Sequence, residues 1–194
     1  MKKLAPFIFF LALFTNDASA ITTKDVFMKY KNDYFIESGS HKGDGIQMAL
    51  DAGFSKIYSV ELAPHFYQLC KKRFSKNKNV VVLEGDSSKE FDAILAKIDA
   101  PATFWLDGHY SWGETAKGET NTPLVQELDA IMKHSIKNHT ILIDDVRQFG
   151  TVEFDFLTLD QIIQKIREIN PKYAFSFEDG YVKNDVLVAQ VMGE

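Results

Sequence analysis

The chain has almost no cysteine: Cys70 is the one thiol among 194 residues. A single thiol closes no intrachain disulfide, so the fold has to hold itself by packing. In the stretch HFYQLCKKRF, Phe66, Leu69, Cys70 and Phe74 fall near one helical face, which reads Cys70 as a buried structural thiol and not a nucleophile. Neither CxxC nor HExxH occurs, so zinc chemistry is not indicated. A basic stripe is also missing. The formal net charge is −5, and the lysines and arginine between residues 71 and 78 belong to an amphipathic stretch that reads as a helix face. An acidic chain does not attract phosphate backbones, which excludes nucleic acid as a partner. Repeats and low-complexity tracts are absent. No apolar run after residue 20 is long enough to span a bilayer.

The first 20 residues differ from the rest. Lys2 and Lys3 precede an apolar run from Leu4 to Phe14, then come Thr15-Asn16-Asp17 and a small-x-small site, Ala18-Ser19-Ala20. This is the outline of a secretory signal peptide. The expectation is therefore a signal peptide over 1–20, a mature domain over 21–194, and export to the periplasm or beyond; otherwise the protein is cytoplasmic. An uncleaved anchor or a buried N-terminal helix is the alternative for this stretch.

Beyond it, apolar runs alternate with amphipathic ones. Strands are expected at Asp33–Glu37, Lys56–Val60, Asn79–Leu83, Ala102–Leu106 and Thr140–Ile143, and a final pair at Lys172–Phe177 and Val186–Val191. Helices are expected at Asp44–Ala52, from Pro64 to about Phe74, at Ser88–Ile98, from Pro123 to about Ser135, and at Leu159–Ile169. Pro64 and Pro123 sit where a missing N–H costs nothing. The pattern predicts an α/β fold: a doubly wound, mostly parallel seven-stranded sheet closed by a C-terminal antiparallel hairpin. In such sheets ligands sit beyond the carboxyl ends of the strands.

Those ends carry the polar residues of interest. The first strand runs into ESGSHKGDG, a glycine-rich turn before a helix N-terminus. The second ends at Glu61, twenty-four residues after Glu37, where a carboxylate can accept both hydroxyl hydrogens of a ribose. The third is followed by Asp86 and Ser87, which could meet an adenine. Placed after three successive strands, these signs point to a nucleoside ligand. No GK[ST] follows the turn, which excludes a P-loop, and the first two glycines are four apart, unlike the dinucleotide fingerprint; NAD is the alternative ligand. Strand four delivers Asp107 and strand five delivers Asp144 and Asp145. Neighbouring parallel strands lie about 4.8 Å apart, so three carboxylates can converge and would repel one another unless a cation sat between them. Mg²⁺ suits such oxygen ligands. Alternatively, Asp144 and Asp145 cap the strand and bind local amides.

From about residue 30 onward the chain resembles the class I S-adenosylmethionine-dependent methyltransferases. ESGSHKGDG looks like their first motif, E/D-x-G-x-x-x-G; SVE at 59–61 resembles their ribose-binding position, and EGDS at 84–87 their adenine-binding loop. The resemblance implies that Glu37, Gly39 and Gly43, with Ser40 in the same turn, line the methionine side of S-adenosylmethionine, and that Glu61, Asp86 and Ser87 hold the nucleoside. Asp107, Asp144 and Asp145 look like the Mg²⁺ ligands of catechol-type O-methyltransferases and of sugar methyltransferases related to macrocin O-methyltransferase. Asp145 fits the sugar-type group better, since the catechol type commonly has Asn as its last ligand. The implied activity is Mg²⁺-assisted methyl transfer to a hydroxyl of a small molecule, a sugar or other vicinal diol.

His109 is the candidate general base, or else a group holding a carboxylate; the catechol-type family has Lys three places after its strand-four Asp, where this chain has Tyr110. The loop from His109 to Asn121 reads as a lid or acceptor wall. In it Tyr110 and Trp112 could stack on a ring, and Lys117 could contact a polar acceptor. Arg147 could meet an anionic group or balance the carboxylates. The mature chain is short for a catechol-type enzyme, which leaves room for a homo-oligomer whose partner subunit supplies the missing wall. Export sits awkwardly with a cytosolic cosubstrate. A non-catalytic or host-interacting protein on a methyltransferase-like scaffold, and a metal-independent methyltransferase, are the competing readings.

Overall fold

A computed structural model describes residues 24–192. The expected signal peptide over 1–20 lies outside the described residues. Among them, no helix is long and apolar enough to cross a membrane.

The described chain forms α1 (Lys24–Lys29), β1 (Tyr34–Ser38), α2 (Asp44–Asp51), β2 (Lys56–Glu61), α3 (Pro64–Arg73), β3 (Val80–Glu84), α4 (Ser87–Leu95), β4 (Ala102–Leu106), α5 (Leu124–Lys133), β5 (Thr140–Ile143), α6 (Leu159–Ile169), β6 (Tyr173–Glu178) and β7 (Val186–Val191), with 3₁₀ turns at Val146–Gln148 and Val152–Phe154. The strands make one sheet in the order β3-β2-β1-β4-β5-β7-β6. β1 to β5 pair in parallel, while β7 runs antiparallel between β5 and β6. This is the expected doubly wound sheet with a C-terminal antiparallel hairpin.

Alternation along each strand sends successive side chains to opposite faces, and here both faces are apolar. Ile36, Phe104, Leu106, Ile141, Ile143 and Leu187 join the core shared with α4, α5 and α6. Phe35, Trp105, Leu142, Val186 and Val188 join the other core, covered by α1, α2 and α3. A sheet buried on both sides gives continuous apolar runs such as TFWL, and it forces loops and polar residues to the strand ends.

Helix ends follow local chemistry. Asp86 caps α4, its side chain accepting from Ser88 N–H. Thr158 and Gln161 form a capping box on α6. Pro64 occupies the first turn of α3. Cys70 is fully buried; its thiol donates to the His41 carbonyl and is pushed by burial up to about 12. The sequence pattern gave no sign of α1. It buries Val26 and Phe27, with Phe27 packed on Phe35 and Trp105. Tyr30, just after it, donates to Glu178 at the end of β6.

Candidate functional site

A cleft of about 280 Å³ opens above the C-terminal tips of the parallel strands. Its wall includes Gly39, Glu61, Asp86, Ser87, Asp107, His109, Tyr110, Asp144 and Asp145 from the sequence-derived set. Glu37, Ser40, Gly43, Trp112, Lys117 and Arg147 are not part of that wall.

At one end the first glycine turn brings β1 against β4. Gly39 has φ +83°, and a Cβ there would lie 2.4 Å from the Asp107 carbonyl oxygen, so the turn admits only glycine without a shift. Glu37 sits beneath this turn, 2% exposed, and accepts from Ser59 Oγ. Burial, opposed by that hydrogen bond, raises its pKa to about 8. Ser40 pairs with Ser59 at 2.5 Å, and Gly43 faces the ring of Phe74. These three residues shape the turn from below.

Glu61 closes β2 and accepts backbone N–H bonds from His41 at 2.7 Å and Ala63 at 2.8 Å. Two amides fix the carboxylate, whose remaining lone pairs stay available to a ligand diol. Asp86 accepts from Ser88 N–H through Oδ1, while Oδ2 lies on the side of Gly118 in the loop after β4. That loop also lends Thr115, Ala116, Thr120 and Asn121 to the wall. Its C-terminal end is pinned by Lys89–Glu119 at 2.8 Å and by Asp155, which accepts from the N–H groups of Asn121 and Thr122. Trp112 points outward, 60% exposed, its indole N–H 3.4 Å from Glu153. Lys117 is exposed on the same loop.

The opposite end is acidic. Among the described residues, two groups bring their ligand atoms within 4.8 Å of one another: Asp107–His109–Asp145 and Asp144–Asp145–Asp185. The expected trio of Asp107, Asp144 and Asp145 is thus divided between them. Asp144 Oδ1 accepts from Asp145 N–H at 2.9 Å. Burial and then Asp145 raise its pKa to about 7. Burial, Asp144 and Asp145 hold Asp107 well above the usual carboxylate range. Asp145 has φ 64° and pairs with the guanidinium of Arg147, which also pairs with the buried Asp185. Arg147 is thus paired with two carboxylates.

His109 is 8% exposed. Its Nε2 lies 3.0 Å from Ser111 Oγ and 3.2 Å from Asp145, and its Nδ1 lies 3.6 Å from Asp107 with no hydrogen-bond partner. Burial lowers its pKa, so the imidazole is neutral near pH 7 and can take up a proton.

Sequence reasoning missed Asp185 and Glu127. Glu127 is 1% exposed and accepts from Ser87 Oγ at 2.6 Å. A signal for it existed: in LVQELDAIMK, Glu127 shares the helical face of Leu124, Leu128 and Ile131.

No protein-family model matches the chain, and no curated protein sequence matches it. Solved structures do. A Podospora anserina methyltransferase bound to S-adenosylhomocysteine superposes with a TM-score of 0.59 at 13% identity, covering 88% of this chain and 76% of that one. A Bacillus cereus O-methyltransferase, also bound to S-adenosylhomocysteine, gives 0.58 at 13% identity over 87% and 78%. The Streptomyces achromogenes O-methyltransferase TomG, involved in tomaymycin synthesis and bound to S-adenosylmethionine, gives 0.56 at 13% identity over 88% and 78%. At such identities the likeness establishes the fold: this chain has the Rossmann-like fold of the class I methyltransferases.

Proposed function

We propose that the protein transfers a methyl group from S-adenosylmethionine to a hydroxyl of a small molecule, a sugar or other vicinal diol, assisted by Mg²⁺. One observation carries this reading: a single cleft at the strand tips has nucleoside-type acceptors, Glu61 and Asp86, at one end and the Asp107–His109–Asp145 cluster at the other. Glu61 receives the ribose hydroxyls, Asp86 and Ser87 the adenine side, and Gly39 lets the methionine portion approach the backbone. Glu37, Ser40 and Gly43 act from beneath, holding the turn.

The acidic end fits a hard divalent cation. Its donors are carboxylate oxygens, two of them on carboxyls held above their ordinary pKa by burial and by neighbouring carboxylates, and His109 Nδ1 beside them is buried without a hydrogen-bond partner. Asp107 and Asp145 would hold the ion, with Asp144 alongside; when bound, it would lower the pKa of an acceptor hydroxyl. His109, neutral through burial, accepts the acceptor's proton, and Asp145 and Asp107 stabilise the imidazolium that results. The O–CH₃ bond forms as the S–CH₃ bond breaks, so no covalent enzyme intermediate is needed. Tyr110 supplies an aromatic wall for the acceptor, and orienting the reactants is the main contribution of the site.

Calorimetry with S-adenosylhomocysteine, followed by methyl-transfer assays on a panel of polyols and catechols with and without Mg²⁺, tests the proposal. Saturable nucleoside binding and chelator-sensitive transfer are expected. The reading fails if nothing in the nucleoside series binds. The Arg147 guanidinium, which already neutralises Asp145 and Asp185, favours one alternative, a metal-independent methyltransferase. Full activity after exhaustive chelation would decide for it.

A further inference from the structure

Glu127 is a buried acid that the proposed reaction does not use. It lies in the first turn of α5, beneath the floor of the cleft. An uncompensated carboxylate is costly to bury, and an apolar side chain would suit this helical face. Its partner explains what it does there. Ser87 Oγ donates to Glu127 Oε1 at 2.6 Å. Ser87 opens α4 just after the loop that follows β3 and lines the cleft beside Asp86. One carboxylate on α5 therefore ties down the nucleoside end of the cleft.

We infer that Glu127 is a positioning residue that fixes the nucleoside-binding loop to α5 by holding the Ser87 hydroxyl. The inference rests on the methyltransferase reading of the cleft. Glu127 touches no reactant. It acts through Ser87, which lines the nucleoside end. The required chemistry is a buried acceptor for that hydroxyl. Gln supplies that acceptor in the same volume and Ala does not.

Calorimetric titration of S-adenosylhomocysteine into the full chain and its variants tests this. Losing a hydrogen bond to a charged, buried group is worth about ten- to a hundredfold in an equilibrium constant, and Glu127→Ala should weaken binding by that factor. Glu127→Gln should restore the affinity to within about threefold. Ser87→Ala should weaken binding comparably, and the Ser87→Ala/Glu127→Ala double variant should bind no worse than the weaker single, because both changes remove one interaction. A role confined to core stability would lower the unfolding midpoint and leave the affinity of the folded fraction unchanged, and would overturn the inference. So would full additivity of the Ser87 and Glu127 penalties. If Glu127→Ala does not fold, Ser87→Ala carries the test by removing the hydroxyl; unchanged affinity refutes the inference. If the unsubstituted protein binds no S-adenosylhomocysteine, the methyltransferase reading falls first and this inference with it. Normal binding that is indifferent to Glu127 removes the inference alone.

Discussion

Acid should loosen this fold through one histidine far from the cleft. His139, at the entry to β5, is fully buried; its Nδ1 accepts from Ala102 N–H at 3.0 Å, so the ring proton sits on Nε2 and faces His134 Nδ1 at 3.0 Å. Burial, followed by His134 and Lys137, lowers its pKa from 6.5 to about 4. A depressed pKa means the folded state prefers the neutral ring, so the unfolded chain binds more protons on acidification. The stability contribution is therefore complete above about pH 6.5, is lost as the pH falls, and is exhausted below about 4. At about 1.4 kcal/mol per pK unit, the loss between pH 8 and pH 5 is about 2 kcal/mol and the full loss about 3 kcal/mol. Glu37 and Glu127, raised to about 8 and about 7, work in the opposite sense: they favour the fold while protonated and lose that contribution as pH rises through those values. The clean measurement is therefore a difference. Urea unfolding of the unsubstituted protein and of His139→Asn, which keeps an acceptor for Ala102 but does not titrate, should show the stability gap shrinking by about 2 kcal/mol from pH 8 to pH 5. A gap that stays constant with pH would refute the reasoning.

Asp145→Ala should reduce methyl transfer by at least about a hundredfold and leave S-adenosylhomocysteine affinity within about twofold, since Asp145 lies at the acidic end; kinetics and calorimetry on the same preparation check both halves. Arg147→Ala strands the buried Asp185 without its cation, and removal of one partner from such a pair typically costs about 3–5 kcal/mol; chemical denaturation should register it, and the Arg147→Ala/Asp185→Asn pair should recover part of the loss. If residues 1–20 are a signal peptide, N-terminal sequencing of the exported protein should begin at Ile21; a chain that keeps Met1 and remains in the cytoplasm would contradict this.

Much of the sheet could be read from the chain because its strands are buried on both faces. ATFWL and TILI are short apolar runs bounded by polar residues, and both became strands with the expected limits. Pro64 marked the start of α3 because its missing N–H falls in a first turn where N–H groups lack helical partners, whereas the Asp86 cap and the box at Thr158, which bond N–H groups locally, emerged only in the structure. α1 escaped because its six residues bury only two side chains, and its reason to be helical is the tertiary contact of Phe27 with Phe35 and Trp105. The strand-tip acids were legible as a set because the topology brings those tips together. Their individual orientations were not. Glu37 turns down toward Ser59, and Arg147 turns to an acid 38 positions further along the chain, outcomes that side-chain packing decides.

The pairing of Arg147 with Asp185 has a consequence for the rest of the acidic end. β7 enters the sheet beside β5, and this brings Asp185 up to Asp144 and Asp145. One guanidinium then serves two carboxylates, Asp145 and Asp185, and Asp107 and Asp144 are left on the cleft side with raised pKa values. Near neutral pH such a pair lowers its energy by keeping a proton or by accepting positive charge from a ligand. The antiparallel hairpin thereby does more than finish the sheet. It adds one acid and takes up the guanidinium of Arg147, so near neutral pH Asp107 and Asp144 either keep a proton or meet positive charge on a ligand.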